Sequence, residues 1–132
     1  MALSKSPVEV INVAAKAAGT STSESDCDST NLEKTSQLCV EAVITFQAAS
    51  AGDVTVHIRV SSLDTDAAFA QCVDYGAIED GNFTVTCDAG ETVRKNAPVW
   101  CDGLYMRFIV DNDNDDTVDI VINVIDQDVA PT

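Results

Sequence analysis

The sequence predicts an all-β protein, an antiparallel β-sandwich of immunoglobulin-like or jelly-roll-like type with seven to eight strands. Three observations lead to this fold class. Apolar and polar residues alternate with the period of two that a half-buried strand requires. Turn residues separate these runs at intervals of about 10 to 15 residues, and no long helical pattern lies between them. The composition is 45% hydrophobic but only 5% aromatic, so the core must consist mainly of branched aliphatic residues, which favour strands.

The chain is organised around the stretch 104–126, which contains two β-rich runs, residues 104–110 and 118–125. Leu104, Met106, Phe108 and Val110 fall on one face of the first run. Val118, Ile120, Ile122 and Val124 do so in the second run. Because the acidic segment 111–117 joins the two runs, the pattern predicts a hairpin that forms one wall of the core.

A second hairpin is predicted from residues 38–47 and 54–61, joined by a turn of small residues. In the second of these strands, His57 and Arg59 occupy the face that points away from the core. They are predicted to be exposed.

The other segments give weaker patterns. Residues 8–13 predict a short first strand after Pro7, suited to an edge or to an arm that docks elsewhere. The polar run that follows, to residue 37, predicts an exposed loop used for contacts. We therefore divide the single domain into an N-terminal strand or arm with a polar loop (1–37) and a sandwich body (38–132).

Residues 62–81 allow two interpretations. Asp64, Thr65 and Asp66 could cap a short helix over 67–72, but an extended segment is favoured because the neighbouring elements are strands.

Further along, residues 83–87 and 91–95 alternate as strands around a turn. Pro98 is expected to end central pairing there, which would place Trp100 in the next loop.

The charge restricts the kinds of partner. With 22 acidic and 7 basic residues the net charge is −15, so nucleic acid and anionic membranes would be repelled. A protein or a cation is the expected partner, although high solubility alone would also explain the charge. The first residues lack the apolar core of a signal peptide, and no run reaches the roughly 18 apolar residues of a membrane span, so a cytoplasmic site of synthesis is expected.

The cysteines predict reduced structural thiols. Their number is odd and no two have the C-x-x-C spacing of a zinc site. Two disulfides in an oxidising medium remain the alternative, with the pairing open. The five residues are Cys27, Cys39, Cys72, Cys87 and Cys101.

The acidic segment is the densest candidate site. Asp111, Asp113 and Asp115 have the alternate-residue spacing found at the start of calcium loops, and calcium prefers carboxylate oxygens. The pattern departs from an EF-hand, because Asp116 replaces the turn glycine and Ile122 replaces the bidentate glutamate. A solvated hairpin loop is therefore the favoured interpretation, and a calcium site is the alternative.

Catalysis is not predicted. His57 is the only histidine and lies on a face interpreted as exposed, and the chain has no glycine-rich phosphate loop. No cofactor is expected. Trp100 and Tyr105 could form a platform for a sugar ring, although burial of Trp100 at the end of the sandwich is the favoured interpretation.

Several segments together resemble the small β-sandwich proteins of tailed bacteriophage virions. They are residues 6–13, 54–62, 83–93, 105–112 and 118–124. The resemblance implies a structural, non-enzymatic virion protein: a capsid decoration (cement) protein, a head fibre or a tail component. It implies a homo-oligomer that contacts the major capsid protein or other virion proteins, with the segment 1–37 available for docking. The alternative is an adhesion or carbohydrate-binding module, which could depend on calcium.

Overall fold

The computed structural model describes residues 2–33, 37–75, 81–100 and 104–130. Within these residues, eight strands form two antiparallel four-stranded sheets with almost no helix, which confirms the predicted all-β sandwich. The strands are β1 (Ala2–Lys16), β2 (Thr30–Asn31), β3 (Gln37–Phe46), β4 (Val54–Ser61), β5 (Asn82–Val85), β6 (Thr92–Trp100), β7 (Tyr105–Asn112) and β8 (Val118–Ala130). A 3₁₀ turn (Glu24–Asp26) and a short helix, α1 (Asp66–Ala70), lie in the connections.

The strand order is that of a jelly roll. The first sheet, sheet A, has the order β1-β8-β3-β6, and the second, sheet B, has the order β2-β7-β4-β5. Each strand of the first half therefore pairs with its mirror partner in the second half: β1 with β8, β2 with β7, β3 with β6 and β4 with β5. This is the double Greek key made by folding one long hairpin over itself. The order distinguishes the jelly roll from the immunoglobulin arrangement, which the sequence left open.

Both predicted hairpins are wrong as pairings, although their strands exist. β7 lies in sheet B and β8 in sheet A, and β3 and β4 are likewise in different sheets. Alternation records only which side of a strand meets the core. Two consecutive strands satisfy it equally well as neighbours in one sheet or as opposite walls. The turns at 47–53 and 113–117 therefore carry the chain from one sheet to the other.

The inner faces of the two sheets form one aliphatic core. Fully buried side chains come from both sheets, and they are Val40, Ala42, Ile44, Val54, Val56, Val85, Met106, Phe108, Val110, Val118, Ile120 and Ile122. Leu104 departs from the prediction, since it precedes β7 and is 44% exposed. Alternation thus located most of the core.

The N-terminal strand is longer than predicted. Residues 8–13 lie inside β1, which pairs with β8 from Ala2↔Ala130 to Lys16↔Val118 and forms an edge of sheet A. Its edge position agrees with the expectation from Pro7.

The polar run after β1 is packed along the open edge of β7. Thr22 N–H donates to Val110 O at 2.9 Å, and Val110 N–H donates to Thr22 Oγ1 at 2.9 Å. Further along, Phe108 N–H donates to the buried Cys27 Sγ at 3.3 Å. Side-chain oxygen and sulfur thus replace the carbonyls that a regular neighbouring strand would supply.

The favoured extended interpretation of 62–81 is wrong over α1. Thr65 is the N-cap, and its Oγ1 accepts a hydrogen bond from Ala68 N–H at 3.1 Å. The helix buries Phe69, which is 1% exposed. Local capping therefore outweighs the β context of the neighbouring elements.

Pro98 does not end the pairing of its strand. β6 continues through it to Trp100, with Pro98 opposite Cys39 of β3. The residue is tolerated because β6 is the edge of sheet A, where one side of the strand needs no partner.

No helix in the described part of the chain is long and apolar enough to cross a bilayer.

Candidate functional site

Most of the ion pairs in the described part of the chain lie on the outer face of sheet B. Alternation along β4 and β7 turns His57, Arg59, Arg107 and Asp111 away from the core, and the register places Thr55 opposite Asp111. The connections before β2 and around α1 fold over this face. Polar side chains predicted to point into water therefore meet other polar groups instead.

His57 is held between two carboxylates, an arrangement that we call the histidine clamp. Its Nδ1 bonds to Asp74 Oδ2 at 2.9 Å and its Nε2 to Asp111 Oδ2 at 2.7 Å. The histidine side chain is only 19% exposed. The prediction of an outward His57 is correct, but that of an exposed one is not.

A second layer of contacts holds the carboxylates of the clamp. Arg59 Nε donates to Asp74 Oδ1 at 3.0 Å, and Asn82 Nδ2 donates to Asp74 Oδ2 at 3.1 Å. The Ser21 hydroxyl donates to Asp111. The clamp thereby ties the connection after β1 and the connection after α1 onto β4 and β7.

The electrostatics favour a charged histidine. Burial lowers the pKa of His57, but the hydrogen bonds to Asp74 and Asp111 outweigh burial and raise the pKa above 6.5. Desolvation raises the pKa of Asp74, yet its bonds to His57 and Asn82 bring that pKa below 3.8. Below this raised pKa, the clamp is an imidazolium held between Asp74 and Asp111.

This geometry does not suit nucleophilic catalysis. A serine nucleophile needs its hydroxyl on a free nitrogen of the histidine. Here both ring nitrogens are bonded to carboxylates, and the Ser21 hydroxyl is directed to Asp111. What the arrangement can do is fix the connections of sheet B and respond to pH.

Arg107 forms a second ionic cluster on the same face, and sequence reasoning missed it. Its Nη1 donates to Asp66 Oδ1 at 2.6 Å and its Nη2 to Asp64 Oδ1 at 3.2 Å. Its Nε donates to Ser29 Oγ at 2.7 Å. The guanidinium carbon lies 4.7 Å from the centre of the Phe69 ring, which adds a cation–π contact. With the arginine side chain 10% exposed, this cluster anchors α1 and the turn before β2.

The structure places the three predicted calcium ligands in different surroundings. Asp111 belongs to the clamp, Asp115 Oδ1 accepts a hydrogen bond from Ala51 N–H at 3.0 Å, and Asp113 is exposed. Among the residues that the structure describes, no group of three or more His, Cys, Asp or Glu side chains is placed to hold a metal ion. Calcium ligation by this segment stays a prediction from the sequence.

The turn at 113–117 is built around two buried asparagines, Asn112 and Asn114. Asn112 Nδ2 donates to Lys16 O at 3.0 Å, and Asn114 Nδ2 donates to Gly52 O at 2.7 Å. Both residues are at most 2% exposed. Asn112 joins the turn at 113–117 to the end of β1, and Asn114 joins it to the turn at 47–53. The sequence signal was Asn112 at the next inward position of β7.

Four cysteines are free thiols: Cys27, Cys39, Cys72 and Cys87. Burial raises the pKa of Cys27 to about 11. Cys101 lies outside the described residues, and so does the side chain of Trp100. The sugar platform therefore stays a prediction.

Comparison of the chain with protein-family models, with curated proteins and with solved structures finds no match.

Proposed function

We propose that this protein is a structural component of a virion, a capsid decoration (cement) protein that strengthens a phage head by lattice contacts. The fold supports the proposal by analogy, because jelly rolls recur in viral capsid proteins. The resemblance of its strands and turns to phage β-sandwich proteins points in the same direction.

The observation that carries the proposal is the internal use of the charged groups on sheet B. The histidine clamp and the Arg107 cluster both engage polar side chains in holding connections against the sheet. The result is a domain whose connections are held firmly against the sheet and whose surface is acidic. Such a domain suits a protein that is displayed in many copies and must remain soluble while crowded.

Lattice binding requires little of any one copy. When identical sites repeat on a shell, contacts between neighbouring copies and the shell add up, so modest affinity at each site is enough. The proposed partners are the major capsid protein or other virion proteins, and the proposed state is a homo-oligomer. The proposed location is the virion, after synthesis of the chain in the host cytoplasm.

The test is quantitative mass spectrometry of virus particles banded in a density gradient, prepared from cells that carry this sequence. The proposal expects the chain in the particle band, at a fixed ratio to the major capsid protein. A particle band without the chain refutes it.

Light scattering of the purified protein, with and without millimolar calcium, separates the alternative. A calcium-independent oligomer supports the virion proposal. A monomer that is stabilised by calcium supports the adhesion module.

A further inference from the structure

The outer edge of β1 divides into a closed part and an open part. Val10 is displaced from the register with β8 by a bulge between Glu9 and Ile11. Its carbonyl accepts a hydrogen bond from Asp28 N–H at 2.8 Å, so the segment before β2 covers the edge there. From Ala2 to Val8, β1 is the outermost strand of sheet A within the described residues.

A groove lies beside this open part. It has a volume of about 240 Å³, and its apolar residues are Val8, Val10 and Val124. Its polar side is residues 28–31. Val8 is 56% exposed, although Val10 and Val124 are almost fully buried. The groove thus offers an accessible apolar side chain beside the outermost strand of sheet A.

The same part of β1 belongs to a narrow ribbon. β3 stops pairing with β8 at Leu38↔Asp126, whereas β1 follows β8 to Ala2↔Ala130. Beyond Asp126, the described part of sheet A consists of β1 and β8 alone, paired as a two-stranded ribbon. Two-stranded ribbons are marginal in water, and a third strand stabilises them.

We propose that the β1 edge from Ala2 to Val8, with the groove beside it, binds an extended strand from a partner protein. The strand carries apolar residues at alternate positions, one of which fills the groove against Val8, and basic residues between them. The inference rests on the proposed function for the partner's identity, a lattice subunit. It also reverses the expectation for the N-terminal segment, because β1 receives a strand instead of being donated to a neighbour.

Charge determines the choice of occupant. Asp28 lines the groove, and the chain carries a net charge of −15, so a basic segment is attracted. A second copy would bring the same negative charge.

The test uses a fluorescent peptide of about nine residues in which valine alternates with lysine and threonine, titrated with the full chain and followed by anisotropy. Two matched peptides replace lysine by glutamate or place a proline at the centre. Val8→Asp is expected to weaken binding of the lysine peptide by about tenfold or more. Val73→Asp is the control, because Val73 is 82% exposed in the connection after α1.

Amide hydrogen exchange adds a readout that simple charge attraction would not move. Strand addition is expected to slow exchange in β1, and Val8→Thr, which keeps the β-branched shape, is expected to retain most of the binding. The inference is overturned if the proline peptide binds equally well, or if both aspartate variants lose the same affinity. If the chain forms an oligomer that dissociates in the Val8→Asp variant, a second copy is the occupant of the edge. That result would also overturn the inference.

The two proposals fail separately. Peptide binding by a chain that is missing from virus particles would refute the virion function but keep the groove. If the chain is present in virus particles but its β1 edge binds no basic strand, the virion function is kept and the strand-binding inference is refuted.

Discussion

Replacing His57 by glutamine should destabilise the protein by an amount that depends on pH. The wild-type imidazolium makes two charge-assisted hydrogen bonds, one to Asp74 and one to Asp111. Each such bond contributes about 1.5–3 kcal/mol when well shielded. The aspartate side chains are 24% and 33% exposed, so water screens part of this. We expect His57→Gln to lower the free energy of unfolding by about 2 kcal/mol near pH 6.

The direction of the pH dependence follows from the two shifts. Because folding raises the pKa of His57 above 6.5, its contribution is complete below that value and is lost as the pH rises through the folded pKa. The pKa of Asp74 is lowered below 3.8, so its contribution is lost as the pH falls through the folded pKa. The clamp should therefore stabilise most between about pH 4 and 6.5.

Urea unfolding of wild type and His57→Gln at about pH 5.5, 7 and 9 measures the difference directly. The destabilisation should shrink at the highest pH, where the wild-type ring has also lost its charge. Asp74→Asn and the double variant complete a cycle, in which a coupling energy of about 1 kcal/mol is expected. A destabilisation that is constant across these pH values, or a His57 pKa measured by NMR below 6.5, would refute the imidazolium clamp.

Three further predictions concern other parts of the fold. Arg107→Lys should cost about 2 kcal/mol in urea unfolding, since one ammonium cannot replace the guanidinium fork, and a loss below about 0.5 kcal/mol would contradict the cluster. Gly52→Ala should cost about 2 kcal/mol or more, because φ is +104° and an added Cβ would lie 2.9 Å from Asn114 Cα. Gly19→Ala, at φ +69° in open space, should cost only about 1 kcal/mol, and equal losses would contradict the clash. Cys27, with its pKa raised to about 11, should resist iodoacetamide at about pH 8 until urea is added, as mass spectrometry can check.

The sequence predicted which side of most strands is buried but not which strands are neighbours. β4 shows this well: Val54, Val56 and Ile58 are buried as the alternation requires. That alternation is a property of one strand and its immediate surroundings. Pairing of β1 with β8, by contrast, joins residues at opposite ends of the chain, and no local pattern encodes it. The jelly-roll order therefore could not be separated from the immunoglobulin order in advance.

The candidate site was predictable only in part, for the same reason. His57 was singled out because it is the only histidine, but Asp74 and Asp111 lie 17 and 54 positions away. Arg107 appeared as an ordinary outward residue of a strand, and its partners Asp64 and Asp66 lie about forty positions earlier. Long-range contacts of this kind depend on the connections that fold over sheet B. The connection after β1 was predicted to be an exposed loop, and the one around α1 was predicted to be extended.

The acidic composition has a structural use that bulk charge does not show. Asp64, Asp66, Asp74 and Asp111 are bound to the two cationic clusters and hold connections in place. Because a surface ion pair alone is worth little, their value lies in converging on two shielded cations, His57 and Arg107. The acidic residues outside these clusters keep the charge on the surface strongly negative. A basic, extended segment would meet that field at the edge of β1, beside the groove that Val8 lines.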